Sequence, residues 1–190
     1  MAGLKIDWLA DAYQPSTDVH WPDWMQAKKQ AALESISKLP GPNRKLELWR
    51  YSGADRLQKA ELDSNESSGQ MLTTADHAVV INLTGQGVDF DANLPEWLTL
   101  KPIQEMPENQ WLELDLSPAL SKELVVQSLN QGLFTHGVVA TISADAPKEA
   151  TVVLRYDVNE PNQWTYLRNV FNVEAGAEVI IDEQYLSGRI

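Results

Sequence analysis

The chain has 190 residues, 43% of them hydrophobic and 22% charged, enough for one large domain or two small ones with a packed core. Its 15 basic and 27 acidic side chains give a net charge of −12, which repels phosphate backbones and anionic lipid and excludes nucleic-acid or membrane-surface binding as the expected role. Cysteine is absent, so disulfides, thiolate nucleophiles and zinc–thiolate sites are excluded within these residues.

Met1 to Ala10 lacks the basic-then-apolar pattern of a signal peptide, and no run approaches the length of a membrane span, so a cytoplasmic location is expected. Leu4 to Tyr13 reads as a short helix, broken at Gln14-Pro15-Ser16-Thr17. Pro22 suits the first position of a second helix, in which Met25, Ala32, Ile36 and Leu39 share a face until Pro40-Gly41-Pro42 stops it. Ser64 to Gly69 is polar and turn-rich and reads as a linker.

Beyond the linker the pattern changes to strands. Ala78 to Leu83 predicts a buried strand, Gly85-Gln86-Gly87 a turn, and Leu98 to Ile103 an extended segment. Ser117-Pro118 has the chemistry of a helix start, Leu120, Leu124, Val125 and Leu129 an apolar face, and Gly132 the expected stop. From Gly137 onward the period is two. Val152, Leu154, Tyr156 and Val158 alternate with Val153, Arg155 and Asp157. Leu167, Phe171 and Val173 mark the next strand, Glu174 to Ala177 a turn, and Val179, Ile181 and Tyr185 another strand. A sheet ending so near Ile190 presents an open edge, which points to a fragment or to cover by another subunit.

Signals for catalysis are weak. His20, His77 and His136 are far apart, without metal-ligand spacing, and read as surface or turn residues; His136 belongs with the turn at Gly137. Asp89/Asp91, Glu113/Asp115 and Asp182/Glu183 are close carboxylates, but with 27 acidic residues such pairs arise by chance and read as solvated faces. No Gly-x-Ser-x-Gly and no phosphate-loop motif occurs. Seven tryptophans offer the main alternative, a carbohydrate-binding β-sandwich, which needs two or three of them exposed on one face.

Leu39 to Ser52 stands apart, with proline and glycine fixing the chain's exit from a helix before a dense run of basic, acidic and aromatic residues. It serves either as a structural clasp or as a docking surface. The segment resembles the N-terminal signature of the SufB/SufD family of iron–sulfur cluster assembly proteins, a helix ending in Leu-Pro and then Arg-Lys-x-Glu-x-Trp-basic-Tyr-Ser/Thr. Leu39, Pro40, Arg44, Lys45, Glu47, Trp49, Arg50, Tyr51 and Ser52 match it. Leu129-Asn130, Leu133-Phe134 and Gly137-Val138 are similar to the family's stretch leading into its β-region, with His136 where the family commonly has an acidic residue. Ala150 to Val158, and Glu174 to Glu178 with the strand after it, look like the family's first β-layers.

The resemblance, which favours the SufD-like branch, implies an α+β fold. A helical region would span 1–63, a linker 64–76, a mixed α/β segment 77–133, and the first layers of a right-handed parallel β-helix 134–190. It implies a non-catalytic scaffold portion of the SUF machinery, acting through protein–protein contacts in a SufB–SufC–SufD-type complex. Arg44, Lys45, Glu47, Trp49, Arg50 and Tyr51 would be its motif and partner surface. SufB- and SufC-like proteins would be its partners, with a homodimer through the open β edge as a further arrangement. No catalytic residue, metal ligand or cofactor is expected in this chain, nor any nucleic-acid or membrane partner.

Overall fold

In chain order the elements are α1 (Asp23–Ile36), β1 (Val79–Thr84), β2 (Val88–Phe90), β3 (Leu98–Pro102), a 3-10 turn (Ile103–Glu105), α2 (Glu108–Leu114), α3 (Val125–Leu133), β4 (Val138–Ile142), β5 (Thr151–Asp157), β6 (Val170–Val173) and β7 (Ile180–Tyr185). The structure, a computed structural model, describes residues 19–36, 38–39, 45, 47, 50, 77–114, 125–157 and 165–186. The helix expected over Leu4–Tyr13, the linker at Ser64–Gly69 and the helix start at Ser117-Pro118 lie outside these residues. The described residues fall into two units that interleave along the chain: 19–50 with 125–134, and 77–114 with 135–157 and 165–186.

The first unit is a pair of packed helices. Ala, Lys, Gln, Leu and Glu dominate α1 and lose little side-chain freedom in a helix. Asp23 complements the positive end of the helix dipole, and the Pro22 carbonyl accepts the amides of Met25 and Gln26 at 2.9 and 3.0 Å. Pro22 therefore sits one residue before the helix, where its ring removes no bond. In α3, Val125, Leu129, Gly132 and Leu133 are buried, the spacing of one helical face. Gly132 does not stop α3 but lies within its last turn, where an added Cβ would strike the Leu33 side chain. Its small size lets the helices approach. Lys29 fixes the same end: its Nζ donates to the Phe134 carbonyl at 2.6 Å and lies over the Phe134 and Trp21 rings, at 4.0 and 5.0 Å from their centroids.

The second unit holds two mixed sheets, ordered β2-β1-β5-β7 and β3-β4-β6. Alternation puts Ile81, Leu83, Leu98, Leu100, Val138, Ala140, Ile142, Val152, Leu154 and Tyr156 into one shared core. The outer faces of the central strands are also buried at Val139, Val153 and Arg155, which is why these strands read as nearly continuous apolar runs. Thr84 shapes the turn expected at Gly85–Gly87, its Oγ1 accepting the amides of Gln86 and Gly87 at 3.1 Å each. Trp111 of α2 is buried beneath the Arg168 guanidinium.

Connectivity is the distinctive feature of this unit. Successive strands β4, β5, β6 and β7 alternate between the two sheets, and strands two apart pair in parallel. Val139 stands beside Val170, and Val152 beside Ile181. β1 adds a third parallel member beside β5, while β2 pairs antiparallel with β1 and β3 antiparallel with β4. The fold is thus α+β. Gly137, at the start of β4, has φ +154°, and an added Cβ would strike the Arg168 carbonyl.

Candidate functional site

Of the family-like motif, Lys45, Glu47 and Arg50 are described and exposed, whereas Arg44, Trp49 and Tyr51 lie outside the described residues. Arg50 donates to the Glu47 carboxylate at 2.8 Å, and its amide meets the Glu47 carbonyl at 3.3 Å. Both side chains are largely solvated, so this pair contributes little stability.

The other sequence candidates disperse. His20 and His77 are exposed. His136 is not a surface turn residue but is buried, bridged to Leu167 and beside the Gln104 side-chain amide. Burial lowers its pKa, against weaker opposing contacts with the Gly85 and Thr135 backbones. Asp89 and Asp91 are exposed, with Asp91 capping the Asn93 amide at 2.8 Å. Among the described residues no group of three or more His, Asp or Glu is placed to hold a metal ion. Trp21 and Trp111 are buried and Trp24 and Trp97 half-buried. Trp97 lines a groove of about 750 Å³ with His77, Pro95, Pro147, Glu149 and Ile180, but no second described tryptophan joins it there, as a sugar platform requires. No described helix is long and apolar enough to cross a membrane.

The structure draws attention to the last two strands instead. Four of the six exposed large apolar side chains among the described residues, Val173, Ile180, Ile181 and Tyr185, belong to β6 and β7. Register places Ile181, Glu183 and Tyr185 beside the core residues Val152, Leu154 and Tyr156, so they face the core side of their sheet. Ile181 and Tyr185 are nevertheless 40% and 63% exposed. Ile180 and Leu186 donate their amides toward β5, to Ala150 at 2.8 Å and Tyr156 at 2.9 Å. Alternation then turns the amides of Ile181, Glu183 and Tyr185 away from β5, and no described strand pairs on that side.

A polar cluster braces this edge. The Glu183 carboxylate accepts from Tyr156 Oη at 2.7 Å and from Tyr185 Oη at 3.3 Å. Asn169 donates to Tyr156 Oη at 3.0 Å and accepts the Val138 amide at 3.1 Å. The two tyrosine rings stack at 4.6 Å, nearly parallel. Burial first, then the Glu183 carboxylate, raises the pKa of both phenols. They remain hydroxyl donors at neutral pH, and through them the cluster ties β5 to β7. Tyr166, pushed up to about 12 by burial, behaves likewise.

The sequence offered Glu183 only as a chance carboxylate beside Asp182, and Tyr156 and Tyr185 only as strand residues; it did not point to Asn169 or to the cluster they form. Their signal is a shared register, visible only once β5 and β7 are paired. No protein-family model matches the chain, and no curated protein matches it.

Proposed function

We propose that the protein is a non-catalytic, cytoplasmic scaffold of iron–sulfur cluster assembly, working through contacts in a SufB–SufC–SufD-type complex. The observation that carries this reading is the connectivity of β4 to β7, in which successive strands alternate between the two sheets, β6 pairing in parallel with β4 and β7 with β5. The opening turns of a parallel β-helix would follow such a path, and the handedness rule for parallel crossovers would make that coil right-handed. In such a coil each turn depends on its neighbours, so a terminal turn exposes core-type residues as β6 and β7 do. The resemblance of residues 39–52 to the family signature supports the same reading, with exposed Lys45, Glu47 and Arg50 as part of the partner surface.

Co-purification is the test. The tagged 190-residue chain, mixed with SufB- and SufC-type proteins, should retain at least one of them. The double variant Lys45→Glu/Arg50→Glu, altered only at exposed positions, should retain it about tenfold less, because like-charge juxtaposition suppresses a docked partner. Retention of neither protein by the unaltered chain removes the assembly reading.

A further inference from the structure

We infer that the groove at Trp97 and Glu149 binds a small organic cation, an ammonium group carried on an apolar or aromatic body. The groove, of about 750 Å³, has the size of a small-molecule site. It lies wholly within the strand unit and crosses the starts of four strands. His77 stands just before β1, Trp97 just before β3 and Glu149 just before β5, and Ile180 opens β7. β1, β5 and β7 are parallel neighbours in one sheet, so their starts stand side by side.

Two turns of the same kind hold the recognition pair. Pro95 and Pro147 each open a four-residue turn closed by a hydrogen bond of 2.9 Å, from the Leu98 amide to the Pro95 carbonyl and from the Ala150 amide to the Pro147 carbonyl. Trp97 and Glu149 take the third position of their respective turns, and both line the groove. Proline fixes the backbone where each turn begins, and the Ser143 amide donates to the Trp97 carbonyl at 2.9 Å. Trp97 also packs against the core. Both residues are thus held in place before a ligand arrives, which cuts the cost of ordering them. Thr151 Oγ1 donates to the Glu149 backbone carbonyl at 3.0 Å and leaves the carboxylate unengaged. Among the described residues none bonds that carboxylate, the Trp97 indole or the His77 ring.

Charge and shape select the occupant. Among the described lining residues Glu149 is the one carboxylate, and none is lysine or arginine. An indole face attracts a cation, and a carboxylate in the same groove accepts its N–H groups. The His77 ring offers a further nitrogen to the same group. Pro95, Pro147 and Ile180 supply apolar walls for the body of the ligand. An anion is repelled by Glu149 and by the net charge of −12. The inference rests on the groove alone, independently of the assembly reading.

Calorimetric titration of the full chain tests it with three probes of similar shape: phenethylammonium, neutral 2-phenylethanol and anionic phenylacetate. The ammonium should bind at least about tenfold more tightly than either of the others. Glu149→Gln, at an exposed position, should weaken the ammonium about tenfold and leave phenylethanol unchanged. Asp89→Asn, exposed and outside the groove, should change neither, which separates the site from general charge attraction. Seven tryptophans give seven indole N–H resonances in a nitrogen–proton NMR spectrum. The one that moves most with phenethylammonium should be the one missing from Trp97→Phe. Thermal midpoints of the variants are measured alongside, and Glu149→Gln carries the test if the tryptophan variant fails to fold. No binding of the ammonium, equal binding of the three probes, an unchanged affinity in Glu149→Gln, or equal weakening by Asp89→Asn overturns the inference. A most-shifted indole resonance that persists in Trp97→Phe places the cation elsewhere and overturns it too.

Discussion

Strands β5 and β7 lie side by side in one sheet, in parallel and in register, and turn the same face toward the core. Their side chains along that face match at two of three positions, Val152 beside Ile181 and Tyr156 beside Tyr185, with Glu183 beside Leu154 as the exception. Their surroundings differ. β5 has β1 on its far side and is buried on both faces, while β7 has no described neighbour beyond it and is mostly exposed. Tyr156 is 9% exposed and its register partner Tyr185 63%. Burial here is a property of the neighbours, not of the residue type. An apolar side chain on β5 removes its surface from water and contributes roughly 1.5–3 kcal/mol, whereas the same chemistry on β7 contributes little until something covers it.

The largest expected effect contrasts two glycines of this unit. Gly137→Ala forces a Cβ into the Arg168 carbonyl at a positive φ, where the backbone cannot yield without breaking the start of β4. It should cost about 3 kcal/mol or more in denaturant unfolding. Gly176, in the turn between β6 and β7, also has a positive φ, of 90°, but open space where its Cβ would go. Gly176→Ala should cost only the conformational term, about 1 kcal/mol. Equal losses would mean that the turn between β6 and β7 is as tightly held as the start of β4, and the comparison would break.

A smaller effect sharpens the same contrast within one register. Leu154→Ala empties a fully buried site and should cost roughly 2–5 kcal/mol. Ile181→Ala, on the neighbouring strand and the same face, should fall within about 0.5 kcal/mol of the unaltered protein, as surface changes do. The difference between the two losses, read from denaturant midpoints at constant slope, measures how far the core reaches toward β7. A large loss for Ile181→Ala would reveal that β7 is already covered in solution.

Much of the strand unit is legible in the sequence because its period is two and its turns carry glycine. Val79–Thr84, the Gly85–Gly87 turn, Leu98–Pro102 and the turn at Glu174–Ala177 all fall where alternation and turn chemistry place them. The misreadings have one physical source, which is that a residue's local chemistry does not report its distant neighbours. Gly132 carries the chemistry of a helix stop, but its role is set by Leu33, far away in sequence. His136 precedes a glycine as turn histidines do, yet the Leu167 segment and Gln104 bury it.

The smallest expected effect is a pH dependence confined to the well-packed side of the comparison. His136 is buried near the start of β4, and burial holds its pKa below the ordinary 6.5, chiefly because the protonated ring would lose its hydration. The unfolded chain binds this proton first as the pH falls. Stability is therefore unaffected by this group well above pH 6.5 and is lost as the pH drops through that value toward the lower folded pKa. Comparison with a variant that lacks only this imidazole removes the contribution of every other titrating group. His136→Gln keeps a polar group within reach of Gln104 but has no proton to take up. Its denaturant midpoint should stay flatter than that of the unaltered protein as the pH falls through this range. Parallel curves for the two proteins would mean that the ring is solvated, and that the close packing of the strand unit does not extend to His136, two residues before β4.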